Sequence, residues 1–201
     1  MHRRIMLGVG IAALAITLAA CGSSSSGSQA DHASMPMMST SATADHNSQD
    51  TMFAQMMIPH HAQAIDMAKL AATRASNADV KALATRIEGA QEPEITTMSG
   101  WLNSWGESAS STSMGMSSSH SMNMNSGMMS SADMTKLEGL SGTTFDRQFL
   151  TMMTQHHQGA IDMAKTEQAS GKYQPARSLA SNIIAAQSTE IAEMHHLLTT
   201  L

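Results

Sequence analysis

The chain has 201 residues, of which 13% are charged and 3% are aromatic, and its formal net charge at pH 7 is −5. This length allows one domain with tails, and the acidic balance without a basic stripe excludes a protein that binds nucleic-acid phosphates. The unusual counts are 21 Met and 10 His against a single Cys, which excludes an internal disulfide framework.

The first twenty residues, 1–20, are predicted to be a lipoprotein signal peptide. The basic start MHRR precedes the apolar run IMLGVGIAALAITLAA, which is short for a membrane-spanning helix. The run ends directly before Cys21, so we expect cleavage at this point and attachment of lipid to the Cys21 sulfur. The alternative is an ordinary signal peptide followed by an incidental cysteine. The expected location is the outer face of the cytoplasmic membrane, at the cell surface or in the periplasm.

Residues 21–47 are predicted to form a disordered tether between the lipid anchor and the domain. Ser, Gly, Ala, Asp and Thr dominate this segment, and it has too few large apolar side chains to order itself. Occasional Met and His residues, such as Met35 and His46, interrupt the small polar residues.

The remaining sequence contains an internal duplication. Residues 50–105 and 143–201 align without a gap, with His61 matching His157 at an offset of 96 residues. MMIPHH in the first block matches MMTQHH in the second, and AIDMAK follows three residues later in both.

Each block is predicted to form a helical hairpin, because its apolar residues recur at spacings of three and four. The four helices are expected at about 50–74, 78–104, 144–170 and 174–200. Residues 75–77 and Gly171 are the predicted breaks, and Pro175 suits the first turn of the last helix. We therefore predict an all-α protein, with residues 48–201 forming an antiparallel four-helix bundle of two duplicated hairpins.

The segment 106–134 joins the hairpins and is predicted to be a disordered insert. It is rich in Ser, Gly, Met and Asn and has no helical or strand period. Because no apolar core is expected there for methionine to fill, we predict capture of copper or silver by this segment; low-complexity drift is the alternative. The candidate ligands are Met114, Met116, His120, Met122, Met124, Met128 and Met129.

Polar side chains lie on the predicted core faces of both hairpins. A helical wheel at about 100° per residue places two histidines on the inner face of each first helix and a Gln and a Glu on that of each second helix. These residues are His60, His61, Gln91 and Glu94, and His156, His157, Gln187 and Glu190. Asp66 and Asp162 fall outside the inner face. A buried carboxylate without a partner costs several kcal/mol, so the group predicts either internal hydrogen bonds or a bound metal.

Methionine precedes each of these histidines by one helical turn. Thioether sulfur is a soft, neutral donor that suits Cu(I) and Ag(I) better than zinc, iron, magnesium or calcium. We predict a copper site, with Cu(I) favoured, in which Glu94, Glu190, Gln91 and Gln187 orient the ligands. The candidate ligands are His60, His61, His156, His157, Met56, Met57, Met152, Met153, Met67, Met163, Met98 and Met194. Core packing is the alternative for Met67, Met98, Met163 and Met194.

The repeated motif M-M-x-x-H-H-x-x-A-I-D-M-A, followed by Q-x-x-E-I-x-x-M, resembles the domain of unknown function 305 family. The resemblance covers both blocks and excludes the leader, the tether and the insert. It implies a ferritin-like four-helix bundle and, for some exported members, a role in copper binding and resistance. It points to His60, His61, His156, His157 and their neighbouring methionines.

Three classes of function follow from these observations. The first is a non-enzymatic, lipid-anchored protein that sequesters copper or passes it to a transfer partner, as a monomer or a homodimer. The second is a ferritin-like metal oxidase, which is disfavoured because Glu193-x-x-His196 is the one Glu-x-x-His spacing in the two blocks. The third is a structural or partner-binding bundle without metal. His195 and His196 either extend a site or face solvent.

Overall fold

The computed structural model describes residues 45–109 and 127–201. The predicted signal peptide, Cys21, the tether up to residue 44 and the candidate ligands from Met114 to Met124 lie outside the described residues. Five helices lie in these two ranges: α1 (Ser48–Arg74), α2 (Ala78–Trp105), α3 (Ser131–Glu138), α4 (Gly142–Ser170) and α5 (Gln174–Thr200). The described ranges contain no strand, and the predicted all-α fold is confirmed. Within them, no helix is both long and apolar enough to cross a membrane.

The helix ends follow local capping rules. Asn77 caps α2 by accepting hydrogen bonds from the backbone N–H groups of Asp79 and Val80. Gly171 directly follows α4, and Pro175 lies in the first turn of α5. The predicted breaks at residues 75–77 and at Gly171 are therefore confirmed.

Two boundaries of the predicted disordered segments are wrong. Asn47 caps α1 through Gln49 and Asp50, and His46 stacks on Trp105 with ring centroids 4.2 Å apart, so the end of the predicted tether belongs to the bundle. Residues 131–134, assigned to the insert, begin α3, because Ser130 and Asp133 form a capping box. A cap of this kind is a short local pattern that the Ser-rich composition of the segment conceals.

The helices pack as two hairpins, α1 with α2 and α4 with α5, and the hairpins meet mainly between α1 and α4. One apolar cluster joins the C-terminal half of α1 to the N-terminal half of α4, including Phe145 and Phe149. A second cluster joins the N-terminal half of α1 to the C-terminal half of α4, including Phe53. The helices α1 and α4 are therefore antiparallel, and a middle level between the clusters is left to polar side chains.

Two buried aspartates tie each hairpin to the loop of the other. Asp146 of α4 accepts hydrogen bonds from the backbone N–H groups of Ser76 and Asn77 and from the Ser76 hydroxyl. Asp50 of α1 accepts hydrogen bonds from the backbone N–H groups at residues 172–173. Both aspartates are fully buried, and they lie at matching positions of the two blocks. Each carboxylate thus satisfies donors that the turn between two helices would otherwise leave unpaired.

Glu167 of α4 is a fully buried acid beside Asp50. Its matching position in the first block is Ala71, and Gly171 provides the space, since a side chain there would collide with the Glu167 carboxyl group. Burial, the hydrogen bond with Asp50 and the negative charge of Asp50 raise the pKa of Glu167 to about 8. Burial also acts to raise the pKa of Asp50, but hydrogen bonds from Glu167 and from backbone N–H groups outweigh it and lower that pKa. A pKa of about 8 keeps the Glu167 carboxyl group mainly protonated at neutral pH, in the form that can donate to the Asp50 carboxylate.

We predict that Glu167→Gln flattens the dependence of stability on pH between about pH 5 and pH 8. The folded pKa of Glu167, about 8, exceeds its ordinary value of 4.5, so its contribution is complete below pH 4.5 and is lost as the pH rises towards 8. The loss between pH 5 and pH 8 should be on the order of 3 kcal/mol in the free energy of unfolding. Glutamine keeps an N–H donor for Asp50 but does not titrate.

Urea unfolding of the wild type and the variant at several pH values measures this difference. Glu138→Gln removes an exposed carboxylate and should follow the wild-type curve. Parallel curves for the wild type and Glu167→Gln would contradict the prediction.

Candidate metal centre

Four histidines form a layer at the middle of the bundle, which we call the histidine layer: His60, His61, His156 and His157. Their exposed fractions are between 0% and 2%, so the prediction that both pairs lie on core-facing stripes is confirmed. His60 of α1 and His156 of α4 lie against each other, with ring centroids 3.8 Å apart and planes tilted by 39°. The two hairpins therefore meet, at this level, through imidazole rings rather than through aliphatic side chains.

The other two histidines each contact a glutamate on the partner helix of their own hairpin. His61 Nε2 lies 2.7 Å from Glu94 Oε2, and His157 Nε2 lies 2.8 Å from Glu190 Oε2. The glutamate side chains are 22% and 17% exposed, whereas the imidazoles are fully buried. When the ring is neutral, a carboxylate that accepts the Nε2 proton leaves the lone pair on Nδ1.

Within the part of the chain that the structure describes, several buried side-chain atoms of the two hairpins find no hydrogen-bond partner. They include Nδ1 of His61 and of His157, and Oε1 of Gln91 and of Gln187. Buried polar atoms are normally satisfied, so a group of unsatisfied acceptors calls for an explanation such as an ion. All four can offer an electron pair, which an ordered water or a cation would satisfy.

His156 is held in its neutral form. Burial lowers its pKa most strongly, and the neighbouring imidazoles of His60, His157 and His61 lower it further, to far below the ordinary value of 6.5. A neutral imidazole is the form that binds metals. The histidine layer therefore keeps this lone pair available across the physiological pH range.

The predicted methionine ligands differ in how far their side chains are buried. Those that are buried are Met57, Met67, Met98, Met152, Met153 and Met194, whereas Met56 and Met163 are partly exposed. Met57 belongs to one apolar cluster and Met153 to the other, one turn before His61 and His157 respectively. The two sulfurs thus flank the histidine layer from opposite ends of the bundle, where they also serve as packing groups.

Within residues 45–109 and 127–201, no three His, Cys, Asp or Glu side chains converge as a ready-made metal site. A hard or borderline ion that needs several nitrogen and oxygen ligands therefore finds no preformed cage in these residues. A soft ion differs, because it can combine one or two imidazoles with a thioether. The histidine layer and the methionines one turn away from it contain donors of both these kinds.

His195 and His196 are exposed on α5, so they face solvent. Glu193, the acid of the one Glu-x-x-His spacing, contacts Arg86 at the surface through both carboxylate oxygens, at 2.5 and 2.7 Å. This spacing is therefore not part of the histidine layer.

The expectation that the insert methionines have no apolar core to fill is wrong at Met129. Met129 is 8% exposed and packs in the same cluster as Phe145, and Met134 of α3 packs beside it. The side chain of Gln63 holds the Met129 backbone in place.

The sequence did not point to Gln63, Glu167 or the two buried aspartates, Asp50 and Asp146. Of these, the aspartates could have been found from their matching positions in the duplication.

The family model described as domain of unknown function DUF305 matches residues 50–198. A DUF305 protein of Streptomyces coelicolor described as secreted has 32% sequence identity and a TM-score of 0.69, covering 76% of this chain and 93% of its own. A DUF305 fragment of Deinococcus radiodurans has 32% identity and a TM-score of 0.65, covering 77% and 98%.

CopM in its Cu(II)-bound form has 34% identity and a TM-score of 0.63, covering 75% of this chain and 96% of its own. Similar solved structures include CopM in Cu(I)-bound and Ag-bound forms. No curated protein sequence matches the chain.

Proposed function

The chain belongs to the DUF305 family, and from this premise we propose that it is a non-enzymatic binding protein for Cu(I) and Ag(I). One observation carries the proposal: each hairpin buries an imidazole whose Nε2 contacts a glutamate and whose Nδ1 has no hydrogen-bond partner. This is the arrangement of a histidine oriented by an outer carboxylate for metal binding. Binding of copper and silver by the relative CopM supports the choice of ion.

In this proposal, His61 and His157 supply imidazole nitrogen, and Met57 and Met153 supply sulfur from one helical turn away. His60 and His156 supply two further imidazoles between the hairpins. Metal binding requires each imidazole in its neutral form, and thioether sulfur carries no charge, so the core gains one positive charge when a monovalent ion enters. Glu94 and Glu190 lie at the edge of the layer and compensate this charge through the imidazoles.

We propose that the protein acts outside the cytoplasm, anchored by lipid on Cys21, and that the Met-rich segment up to Met128 collects the ion. Sequestration, or transfer to a partner protein, requires no reaction at the bound ion. The alternative of a ferritin-like oxidase requires carboxylate ligands in the core. In the histidine layer the glutamates bind imidazole, and the Glu193 carboxylate is on the surface, which favours binding over oxidation.

The proposed function is tested by anaerobic titration of the full mature chain with Cu(I) against a chromophoric chelator, followed by X-ray absorption. We expect more than one equivalent of Cu(I), with both sulfur and nitrogen neighbours. A parallel titration with Ag(I) should give similar stoichiometry, whereas Zn(II) should bind far more weakly. The absence of Cu(I) binding beyond that of a Met-poor control protein would reject the proposal. Catalytic consumption of oxygen on addition of Fe(II) or Cu(I) would favour the oxidase.

A further inference from the structure

The end of the Met-rich segment crosses the α1–α4 pair at the level of the histidine layer. Gly127 lies directly on α4: a Cβ atom there would be 2.8 Å from the carbonyl oxygen of Gln155 and 2.9 Å from that of His156. Its φ of +79° is a conformation that glycine adopts readily and other residues rarely do. Position 127 therefore allows the chain to rest on the backbone of the helix that carries His156.

Two residues later the segment is held by α1. The Gln63 side chain donates from Nε2 to the Met129 carbonyl oxygen at 2.9 Å, and the Met129 N–H donates to Gln63 Oε1 at 2.8 Å. A side-chain amide that both donates to and accepts from one residue fixes the direction of that backbone. Gln63 lies three residues after His60, nearly one helical turn along α1.

The duplication explains why the described residues contain one contact of this kind. The offset of 96 pairs Gln63 with Gly159, and the Cα of Gly159 would be 3.0 Å from a Cβ at Gly127. At this position the first block thus has a side-chain amide that binds the crossing segment, whereas the second block has a glycine that leaves room for it. Met128 lies between the two anchors and is partly exposed, whereas Met129 points into the core.

We propose that Gln63 and Gly159 form a seat that holds Met128 at the edge of the histidine layer. In this position the Met128 thioether binds a soft cation and passes it into the layer. This inference rests on the proposed function. The ion moves by ligand exchange: one sulfur–metal bond breaks as a nitrogen–metal or sulfur–metal bond in the layer forms. Its oxidation state does not change, and a thioether releases no proton. Gln63 is a positioning residue, and Met128 is the ligand.

The experiment follows the rate at which the full mature chain takes Cu(I) from its bicinchoninate complex under anaerobic conditions. Met128→Leu removes the sulfur and keeps the bulk, and Gln63→Leu removes both hydrogen bonds to Met129. We expect each to slow loading by about tenfold, while the final affinity after Gln63→Leu, which removes no metal donor, stays at the wild-type value. Gly127→Ala disrupts the seat from the α4 side and should act in the same way. Met134→Leu, a neighbouring methionine outside the seat, should load at the wild-type rate.

The outcomes separate the two proposals. If the wild type takes up no Cu(I), the proposed function itself fails. If the wild type loads and Met128→Leu loads equally fast, the passage through Met128 is wrong. If Met128→Leu is slow but Gln63→Leu and Gly127→Ala are fast, the positioning role of the seat is wrong. Equal losses of rate and final affinity in all seat variants would indicate a purely structural role and would also overturn the inference.

Discussion

The double variant His61→Leu/His157→Leu should lose Cu(I) affinity by at least about a hundredfold, which corresponds to roughly 2.7 kcal/mol. Leucine removes both Nδ1 lone pairs and keeps most of the buried volume. Glu94 and Glu190 lose their imidazole partners in this variant, but both carboxylates reach solvent and can be hydrated. The bundle should therefore stay folded, as circular dichroism would show.

The matched control is His195→Leu/His196→Leu. It removes the same number of imidazoles from exposed positions on α5 and should bind Cu(I) as the wild type does. Competition with a chromophoric chelator measures all three proteins. If the two double variants bind Cu(I) equally, the ion is not held by the histidine layer.

An intermediate effect is expected for Glu94→Gln/Glu190→Gln. The glutamine oxygen can still accept the Nε2 proton, but it carries no charge to offset that of the bound ion. Loss of an outer-shell carboxylate typically lowers metal affinity by about 10- to 100-fold. A variant that retains full affinity would show that these glutamates serve the fold alone.

Asp146→Ala should destabilise the protein by about 3 kcal/mol, which corresponds to a fall of roughly 10 °C in melting temperature. The fully buried Asp146 carboxylate accepts hydrogen bonds from two backbone N–H groups and one hydroxyl at the turn between α1 and α2. Alanine leaves these donors without their charged acceptor and opens a cavity between the hairpins. Thermal and urea unfolding measure the change.

Asp66→Ala is the control for this prediction, because Asp66 is an exposed aspartate of α1 and its loss should cost within about 0.5 kcal/mol. Asp146→Asn should fall between the two, since an amide offers one neutral acceptor oxygen. If Asp146→Ala and Asp66→Ala unfold at the same temperature and urea concentration, the contact between hairpin and loop contributes nothing to stability.

The inward orientation of the histidines is an example of what periodicity predicts. His60 and His61 lie on the same stripe as Phe53 and Met57, and a helix that buries those apolar side chains must bury the imidazoles as well. Glu94 lies 33 residues after His61, as Glu190 does after His157. This spacing spans one hairpin turn and made the contact between the pairs foreseeable.

The contacts between hairpins could not be foreseen in the same way. Periodicity defines which face of a helix is buried. It does not define the axial position of that helix relative to a helix distant in sequence. Three contacts depend on that axial position: the ring contact of His60 with His156, the capping of distant turns by Asp50 and Asp146, and the hydrogen bonds of Gln63 with Met129.

By itself, the sequence determined four amphipathic helices, their breaks and a duplicated set of imidazole, thioether and carboxylate groups facing inward. Only the tertiary structure decided that the imidazoles form a single layer between two apolar clusters, and that Glu167 is a buried acid protonated at neutral pH. The physical reason is that local patterns act within one helix. The packing of α1 against α4 is a long-range contact that selects one axial register, and this register brings the four histidines together.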